Sequence, residues 1–575
     1  MEKQWQILNP DPKTVKSLSG QLQCDPLLAR LLAIRNITSI SQAKRFLNPS
    51  FGHLTAPSAM ADIKIAVQRI SQAIDHGEKI LVFGDYDADG VTATAVLVTF
   101  LRQCAARVSY AIPYRMTDGY GMGVDFINTQ AKPAGTRLII TADCGSSSSA
   151  AVFQARQLGI DTIITDHHRA DPFPPDALAV VNPTRPDCPA ELSHLAGVGV
   201  AYYLIIALRT HLREKGFWKN RPEPNLKQLC DLVAIGTVAD VVPLVKENRT
   251  LTTAGIDQIN RGQRPGIKAL VKMSSASPQP VDAEAIAFRL APRINAAGRL
   301  VHARIACELL LTDNNKRAER LASVLCRLNN RRQSMESELL ESILERIHQT
   351  VPPTGPSALV VDGDGWHEGI LGIVAARLIR QFHCPAVVIS TCNGIGKGSA
   401  RSVAPIDLTL ALDHCADLLD RFGGHPLAAG LVLPTANIDD FRVRLETAVK
   451  QLTAGTPPSP TLHIDAPLPL SQLSPALMES LERLGPFGQG NPAPLFMDTD
   501  VRVMHCKTVG GRHRQMVLQS GQGRHGSVNA IQFNVNHDLS AAPSHFEKIA
   551  FRPHWNYWNG RKTLQLVIED TQSTA

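Results

Sequence analysis

Short apolar runs alternate with longer stretches of helical periodicity over most of the chain. Ile80–Phe83 reads as a short buried strand, and Arg107–Pro113, Arg137–Ala142 and Asp161–Thr165 as further strands. Ala61–His76, Val91–Cys104 and Ser146–Leu158 read as helices between them. This alternation predicts a parallel sheet with helices on both faces, whose ligands sit outside the carboxyl ends of the strands. Before it, residues up to about Pro57 read as a polar helical cap. After it, Ala318–Ile347 predicts one long helix with Leu321, Leu325, Leu328, Met335, Leu339 and Ile343 on an apolar stripe. The stripe is short, which suits a spacer better than a coiled coil. VPPTGP, Val351–Pro356, is a linker, and from Ser357 ALVVDGD and PAVVIS flank the helix Gly369–Gln381 as a second α/β unit.

From Thr461 the period changes to two, broken by Gly and Pro. Val501–Met504, Gln515–Gln519, Val528–Phe533, Lys548–Arg552 and Thr563–Ile568 are five strand candidates, enough for a small barrel. The fold class that emerges is α/β. Two α/β domains are joined by a long helix, and a C-terminal all-β, OB-fold-like barrel follows. The expected boundaries are 1–57 for the cap, 58–313 for the first α/β domain and 314–350 for the connecting helix; the second α/β domain takes 351–455 and the barrel 461–575.

Charge and composition sharpen this picture. A chain of 575 residues exceeds one core, and 44% hydrophobic with 19% charged residues is ordinary for a globular protein. No run has the length of a membrane span, and MEKQWQILNPDPK lacks the shape of a signal peptide. The 11 cysteines are scattered without a C-x-x-C pair, so neither a disulfide framework nor a zinc cage is indicated and a reducing cytoplasm is expected. Net charge is +7, and Val501–Lys562 holds nine basic residues against Asp538 and Glu547, an excess equal to the whole. Arg502, Lys507, Arg512, Arg514, Arg552 and Trp555 are the candidate strand-binding residues there. Phe533, Phe551, Trp555, Tyr557 and Trp558 interleave with the basic residues, as in barrels that stack bases beside a cationic groove. The alternative is a barrel whose aromatics are all core.

The chemistry concentrates at strand ends. ILVFGDYDADG places Asp85, Asp87 and Asp89 directly after an apolar run, and like charges so close need a hard cation to coexist. An EF-hand loop is excluded, because Val96 stands where that loop needs its Glu. Asp143 follows LIITA, Asp166, His167 and His168 follow DTIIT, and Asp240 lies in GTVADVVPL. Taken singly, each reads as a cap or a core residue. Their matching topological positions point instead to one metal centre, with imidazole favouring manganese and the oxygens admitting magnesium. Farther on, GIGKGSARS is not a P-loop, since Gly398 stands where Ser or Thr is required; as an open loop its amides, Ser399, Arg401 and Ser402 would suit a phosphate. His425 lies in a glycine turn, GGHPLAAGL. WHEGILG is not an H-E-x-x-H zinc site, because Leu371 replaces the second histidine.

Together DYDADG, TADCG, TDHH and GTVADVVPL resemble the DHH phosphoesterase superfamily, and RINAAGRL with GGHPLAAGL resembles its companion DHHA1 module. With the barrel appended, the order is similar to that of the superfamily's bacterial single-strand-specific DNA exonucleases, leaving only the N-terminal cap uncovered. The resemblance implies a 5′→3′ exonuclease acting on single-stranded DNA in recombination and repair. It implies one or two Mn2+ or Mg2+ ions held or closely supported by Asp87, Asp89, Asp143, His167, His168 and Asp240, with Asp85 a further ligand. His168 or a neighbouring acid would accept the proton of the attacking water. Arg293, Asn295 and Arg299 would face the scissile bond, and Ser399, Arg401, Ser402, Gly424 and His425 would grip the 5′ end. A monomer, nucleoid-associated in the cytoplasm, is expected, with single-stranded DNA, a single-strand binding protein and a RecQ-type helicase as partners and no membrane. The rivals are a small-substrate phosphodiesterase of the same superfamily and a replication scaffold without catalysis.

Overall fold

The computed structural model describes residues 3–169, 173–274, 279–350, 356–455, 460–521, 526–535, 543–558 and 561–572. Gln4–Ile7 is a short strand (β1). The first sheet consists of Lys79–Gly84 (β2), Arg107–Ala111 (β3), Leu138–Ala142 (β4), Asp161–Thr165 (β5) and Ala179–Val181 (β6). Its order is β3-β2-β4-β5-β6, with every pair parallel. Ile80, Val82, Ile140 and Ile163 face a core shared with the helices Ile63–Asp75, Ala88–Gln103 and Gly197–Glu214. Leu81, Phe83, Ile139 and Ile164 pack on the opposite side with the helix Ser149–Gln157. Both faces of the inner strands β2 and β4 are therefore dry, which explains their nearly continuous apolar spelling, whereas the edge strand β3 stays partly exposed. The order reverses at β2: β3 lies on one side, and β4 through β6 run off the other. A crevice opens at such a reversal, beyond the carboxyl ends of β2 and β4.

The helix Asn315–Thr350 has 36 residues, about 54 Å at 1.5 Å per residue, and is long enough to serve two cores. Ala318, Ala322 and Leu325 pack into the first; Leu339, Ile343 and Ile347 pack under the second sheet. Between them Glu336, 1% exposed, pairs with Arg332 at 2.6 Å and with Arg377 of the helix Glu368–Phe382. Of the linker VPPTGP, residues 351–355 lie outside the described residues.

Leu359–Asp364 (β7), Ala386–Cys392 (β8), Ile395–Arg401 (β9), Arg421–His425 (β10) and Ala428–Pro434 (β11) form the second sheet, in the order β10-β11-β9-β8-β7. Only β7 and β8 are parallel. GIGKGSARS, expected as an open loop, is strand β9 after a turn at 393–394, and GGHPLAAGL, expected as a glycine turn, is a hairpin of β10 and β11 whose turn falls at 426–427, after His425. Gly394 serves the turn at φ 79, whereas Gly396 and Gly398 reflect close packing: a Cβ on Gly398 would lie 2.8 Å from Leu431 Cδ1, and one on Gly396 3.0 Å from Ile389 Cγ2.

Thr461–Ile464 (β12) and Ala466–Pro467 (β13) lead into Phe496–Val509 (β14), His513–Ser520 (β15), Val528–Gln532 (β16), His545–Trp558 (β17) and Arg561–Gln572 (β18). The last five close into a barrel, because β14 pairs with both β15 and β17, while β16 runs parallel to β18 and β17 antiparallel to it. The N-terminal segment, expected as a polar helical cap, instead belongs to this unit. β1 pairs in parallel with β12, and Leu18, Leu28, Leu31 and Leu32 share one core with Leu484, Phe496 and Phe551. The polar reading overlooked the apolar helix Pro26–Ile34, in which Leu28, Ala29, Leu31 and Leu32 are buried. Replacing Leu31, fully buried in this shared core, with Ala is expected to destabilise the barrel unit by about 2–5 kcal/mol. Urea denaturation followed by tryptophan fluorescence measures it; an unshifted midpoint would refute the shared core.

Candidate metal centre

Asp85 stands one residue past β2, and its amide donates to Ala142 O at 3.2 Å across the reversal point. Asp87 caps the helix Ala88–Gln103, its carboxylate accepting from Gly90 N at 3.0 Å. Asp89, inside the first turn of that helix, accepts from the amides of Gly197 at 2.6 Å and Val198 at 2.9 Å, where the helix Gly197–Glu214 begins. Asp143 leaves β4 with φ 64, a left-handed turn that Asp tolerates better than most residues. The turn seats its carboxylate against Gly197, where a Cβ would lie 2.4 Å from Asp143 Oδ1. A side chain at Gly197 would collide with the acid.

Asp166 organises the next strand end. Its oxygens accept from His167 N at 2.8 Å, His168 N at 3.1 Å and Ser146 N at 2.9 Å, and His168 Nδ1 lies 2.8 Å away. Burial pushes Asp166 upward, but these bonds, led by that from His168, hold it below its usual range. Burial likewise pulls His168 down, and the Asp166 hydrogen bond and charge outweigh it, lifting it to about 9. His167 Nε2 lies 3.2 Å from Asp143 Oδ1, 3.5 Å from Asp240 Oδ2 and 3.9 Å from Asp89 Oδ2.

The acids Asp85, Asp87, Asp89, Asp143 and Asp240 thus converge with both histidines on one crevice. Three groups have ligand atoms all within 4.8 Å of one another: Asp143, His167 and His168; Asp89, His167 and Asp240; Asp85, Asp87 and Asp143. Burial first, and neighbouring acids second, raise Asp89 to about 7 and Asp240 to about 8, and push Asp85 and Asp143 well above the carboxylate range. Burial, then His168, brings His167 down to about 4. Asp85 Oδ1, Asp143 Oδ1 and His167 Nε2 are buried without a hydrogen-bond partner. Orphaned lone pairs of oxygen and imidazole, crowded like charges and no lysine or arginine among the ligand groups fit a divalent cation.

Around the crevice the cations gather. Arg299 is half-buried and donates to Gly369 O at 3.0 Å; burial, then Arg115, Arg332 and Arg401, brings it down to about 10. Arg401 donates to Ser399 Oγ at 3.3 Å, and Arg115 lies over the Tyr86 ring at 4.9 Å. Crowded guanidiniums of this kind suit a phosphate. Other candidates take different roles. Asn295 Oδ1 accepts from Ala88 N at 2.8 Å, so it sets the start of the Asp87 helix rather than facing substrate through that oxygen. Arg293 donates to Arg289 O at 2.5 Å. Ser402 is buried and its hydroxyl donates to Ile406 O at 2.9 Å, which removes it from the phosphate set. Gly424 and His425 are exposed on β10.

On the barrel Arg502, Lys507 and Arg512 are exposed, as is Phe533, whose ring meets His513 at 5.2 Å. Arg514 is buried, because it shares the inward face of β15 with Met516 and Leu518, and Phe551 is core. Arg552 is paired with Glu569 at 3.1 Å, and half-buried Trp555 lies under the Lys562 ammonium at 4.3 Å. Arg524 and Asp538 lie outside the described residues, as does the side chain of Trp558. Residues that the sequence reading missed include Tyr120, whose hydroxyl lies 3.0 Å from His168 Nδ1, together with Arg115 and Arg332. Only the aromatic–basic spelling of Tyr114–Tyr120 could have signalled the first two. No helix among the described residues is long and apolar enough to cross a membrane.

Family models match three parts of the chain: the DHH family N-terminal domain over residues 79–237, the DHHA1 domain over 355–451 and the RecJ OB domain over 464–570. The chain is 38% identical to the single-stranded-DNA-specific exonuclease RecJ of Salmonella typhimurium, over 99% of each chain. Its fold is similar to that of Thermus thermophilus RecJ in complex with Mn2+, with a TM-score of 0.83 and 30% identity over 100% of this chain and 80% of that one. The same protein in complex with Mg2+ gives a TM-score of 0.78 at 30% identity, over 100% of this chain and 79% of that one.

The protonation pattern makes a signed prediction. Between pH 6.5 and 8 the folded, metal-free centre holds protons that the unfolded chain has released: at Asp89 and Asp240, raised to about 7 and about 8, and at His168, raised to about 9. His167, brought down to about 4, opposes this only below its ordinary value. Stability of the metal-free protein should therefore fall as pH rises through that window. Mn2+ should bind more tightly across the same window and release protons. Thermal melts with chelator and calorimetry in buffers of different ionisation enthalpy check both, and a metal-free melt that climbs over this range would contradict the assignment.

Proposed function

The chain belongs to the RecJ family of single-stranded-DNA-specific exonucleases, and on that premise we propose that it hydrolyses the phosphodiester bonds of single-stranded DNA from the 5′ end, using Mn2+ or Mg2+. The observation that carries this reading is the set of orphaned buried ligand atoms on Asp85, Asp143 and His167 at one crevice. Asp85, Asp87, Asp89, Asp143, His167, His168 and Asp240 would hold or closely support one or two ions. Bound there, divalent cations supply Lewis acidity and neutralise charge at the phosphate during an in-line displacement.

The chain's own residues do the remaining work. Asp166 fixes His168 through Nδ1, which leaves Nε2 to exchange a proton with water at the crevice. Arg115, Arg299 and Arg401 neutralise the phosphate of the strand end, assisted by Ser399, with His425 at the outer rim. On this reading a cleft between the two α/β units would admit one strand and exclude a duplex. Arg502, Lys507 and Arg512 provide a cationic track on the barrel, and Phe533 is the exposed ring on which a base stacks. The 5′→3′ direction and the role in recombination and repair follow from the family. The same reading has the chain act as a monomer at the nucleoid, beside a single-strand binding protein and a RecQ-type helicase.

Asp143→Ala should abolish cleavage while leaving salt-sensitive strand binding largely intact. Digestion of end-labelled single and double strands with Mn2+, Mg2+ or chelator, paired with filter binding, tests this; normal turnover in the variant would defeat the assignment. Reversing charge at Lys507 and Arg512 together should raise KM for long strands and reduce the slope of log K against log salt by about 0.7 for each phosphate that is no longer neutralised. An unaltered KM for long strands would favour a small-substrate phosphodiesterase instead.

A further inference from the structure

Outside the metal centre, three consecutive polar residues are buried at the start of the helix Lys246–Arg261: Glu247, Asn248 and Arg249, exposed 6%, 0% and 2%. Arg249 has its guanidinium in the barrel unit. It donates to Phe46 O at 2.9 Å, Leu484 O at 2.8 Å and Arg483 O at 3.1 Å, and lies over the Phe46 ring at 3.8 Å. Asn248 Nδ2 donates to His194 O at 2.5 Å and Pro243 O at 3.0 Å. Glu247 accepts from His194 Nε2 at 2.7 Å and Thr55 Oγ1 at 2.8 Å.

The two backbone segments tied by Asn248 lead directly to metal-centre residues. His194 lies just before Gly197 and Val198, whose amides hold Asp89. Pro243 lies just after Asp240. The short connection from Asp240 to the helix is strained, with Val241 at φ 60 and Lys246 at φ 45. Val241 is also 65% exposed, so its own packing does not hold that conformation. The barrel unit does: Leu244 N donates to Gln489 O at 2.7 Å, and a Cβ on Gly488 or Gly490 would strike Leu244 or Pro243 at 2.7 or 2.9 Å.

We propose that Glu247, Asn248 and Arg249 are positioning residues through which docking of the barrel unit sets Asp89 and Asp240, and with them the cation affinity of the centre. This rests on the reading above that Asp89 and Asp240 serve a metal ion. On this view the barrel does more than hold DNA: it completes the metal site from behind. Arg249 anchors the docked unit, and Asn248 passes its position to both segments. Residues that orient metal ligands typically alter affinity about 10–100-fold when lost.

The test uses the full-length protein and two variants, Arg249→Met, which keeps the stem and loses the donors, and Asn248→Ala, which leaves the barrel contacts alone. Calorimetric Mn2+ titration without DNA should show the dissociation constant raised about tenfold or more in each. Cleavage should be weak at low Mn2+ and restored by excess Mn2+, with KM for single strands unaltered. A merely structural loss would reduce the active fraction at every Mn2+ concentration. Unchanged Mn2+ affinity in both variants, or a loss of cleavage that excess Mn2+ does not restore, overturns the inference. If Arg249→Met does not fold, Asn248→Ala carries the same comparison. A wild-type chain that neither binds Mn2+ nor cleaves single strands overturns the functional reading itself.

Discussion

Carboxylates repel one another, and burial makes the repulsion worse. The rim of the first sheet nevertheless gathers Asp85, Asp87, Asp89, Asp143 and Asp240 around His167, and the chain compensates them only in part. Asp89 receives two helix-start amides and Asp87 one, while Asp85 Oδ1 and Asp143 Oδ1 receive none. Leaving a buried charge unpaired is expensive, and a group so placed protonates or finds a cation. Much of the architecture follows from the need to assemble this conflict and hold it for a metal ion. The strand order reverses at the rim, Gly197 yields space to Asp143, and Asp166 takes on the task of orienting the imidazoles.

That assembly was legible where chemistry and topology coincide in the spelling. Asp85–Asp89, Asp143 and His167–His168 each close an apolar strand, so their meeting follows from the parallel sheet. Asp240 was legible because a hydrophobic helix precedes it. Asp166 was harder, since a carboxylate that receives backbone amides is written like one that receives a metal. Arg115 and Tyr120 escaped because their stretch has neither helical nor strand period. Glycine misled in the second sheet: Gly396 and Gly398 suggested a loop, whereas they let neighbouring strands press close. Arg514 was misassigned for a reason the sequence did contain. It shares parity with Met516 and Leu518, and that parity puts it inside the barrel.

The units are joined by buried polar contacts as well as by apolar cores. The connecting helix contributes apolar residues to both α/β units, and the buried Glu336 between them holds Arg332 of its own helix and Arg377 of the second unit. Arg249 performs a comparable service toward the barrel unit with carbonyl oxygens in place of an acid. Directional contacts of this sort add less net stability than an equal apolar area, but they penalise misalignment heavily, because a misplaced guanidinium loses every partner at once. A crevice that must place a strand end beside a metal site needs that intolerance.

The pairing of β1 with β12, and the shared burial of Leu28, Leu31 and Leu32 with the barrel, also constrains how the molecule is made. These leucines leave the ribosome long before the surface that covers them is translated. Until the barrel emerges, the nascent chain therefore carries an uncovered apolar segment, a state open to chaperone capture or to pairing with another nascent copy. Both α/β units can close before this segment finds its seat. Maturation thus includes the pairing of two segments far apart in the chain, a long-range closure that waits for the barrel strands to emerge.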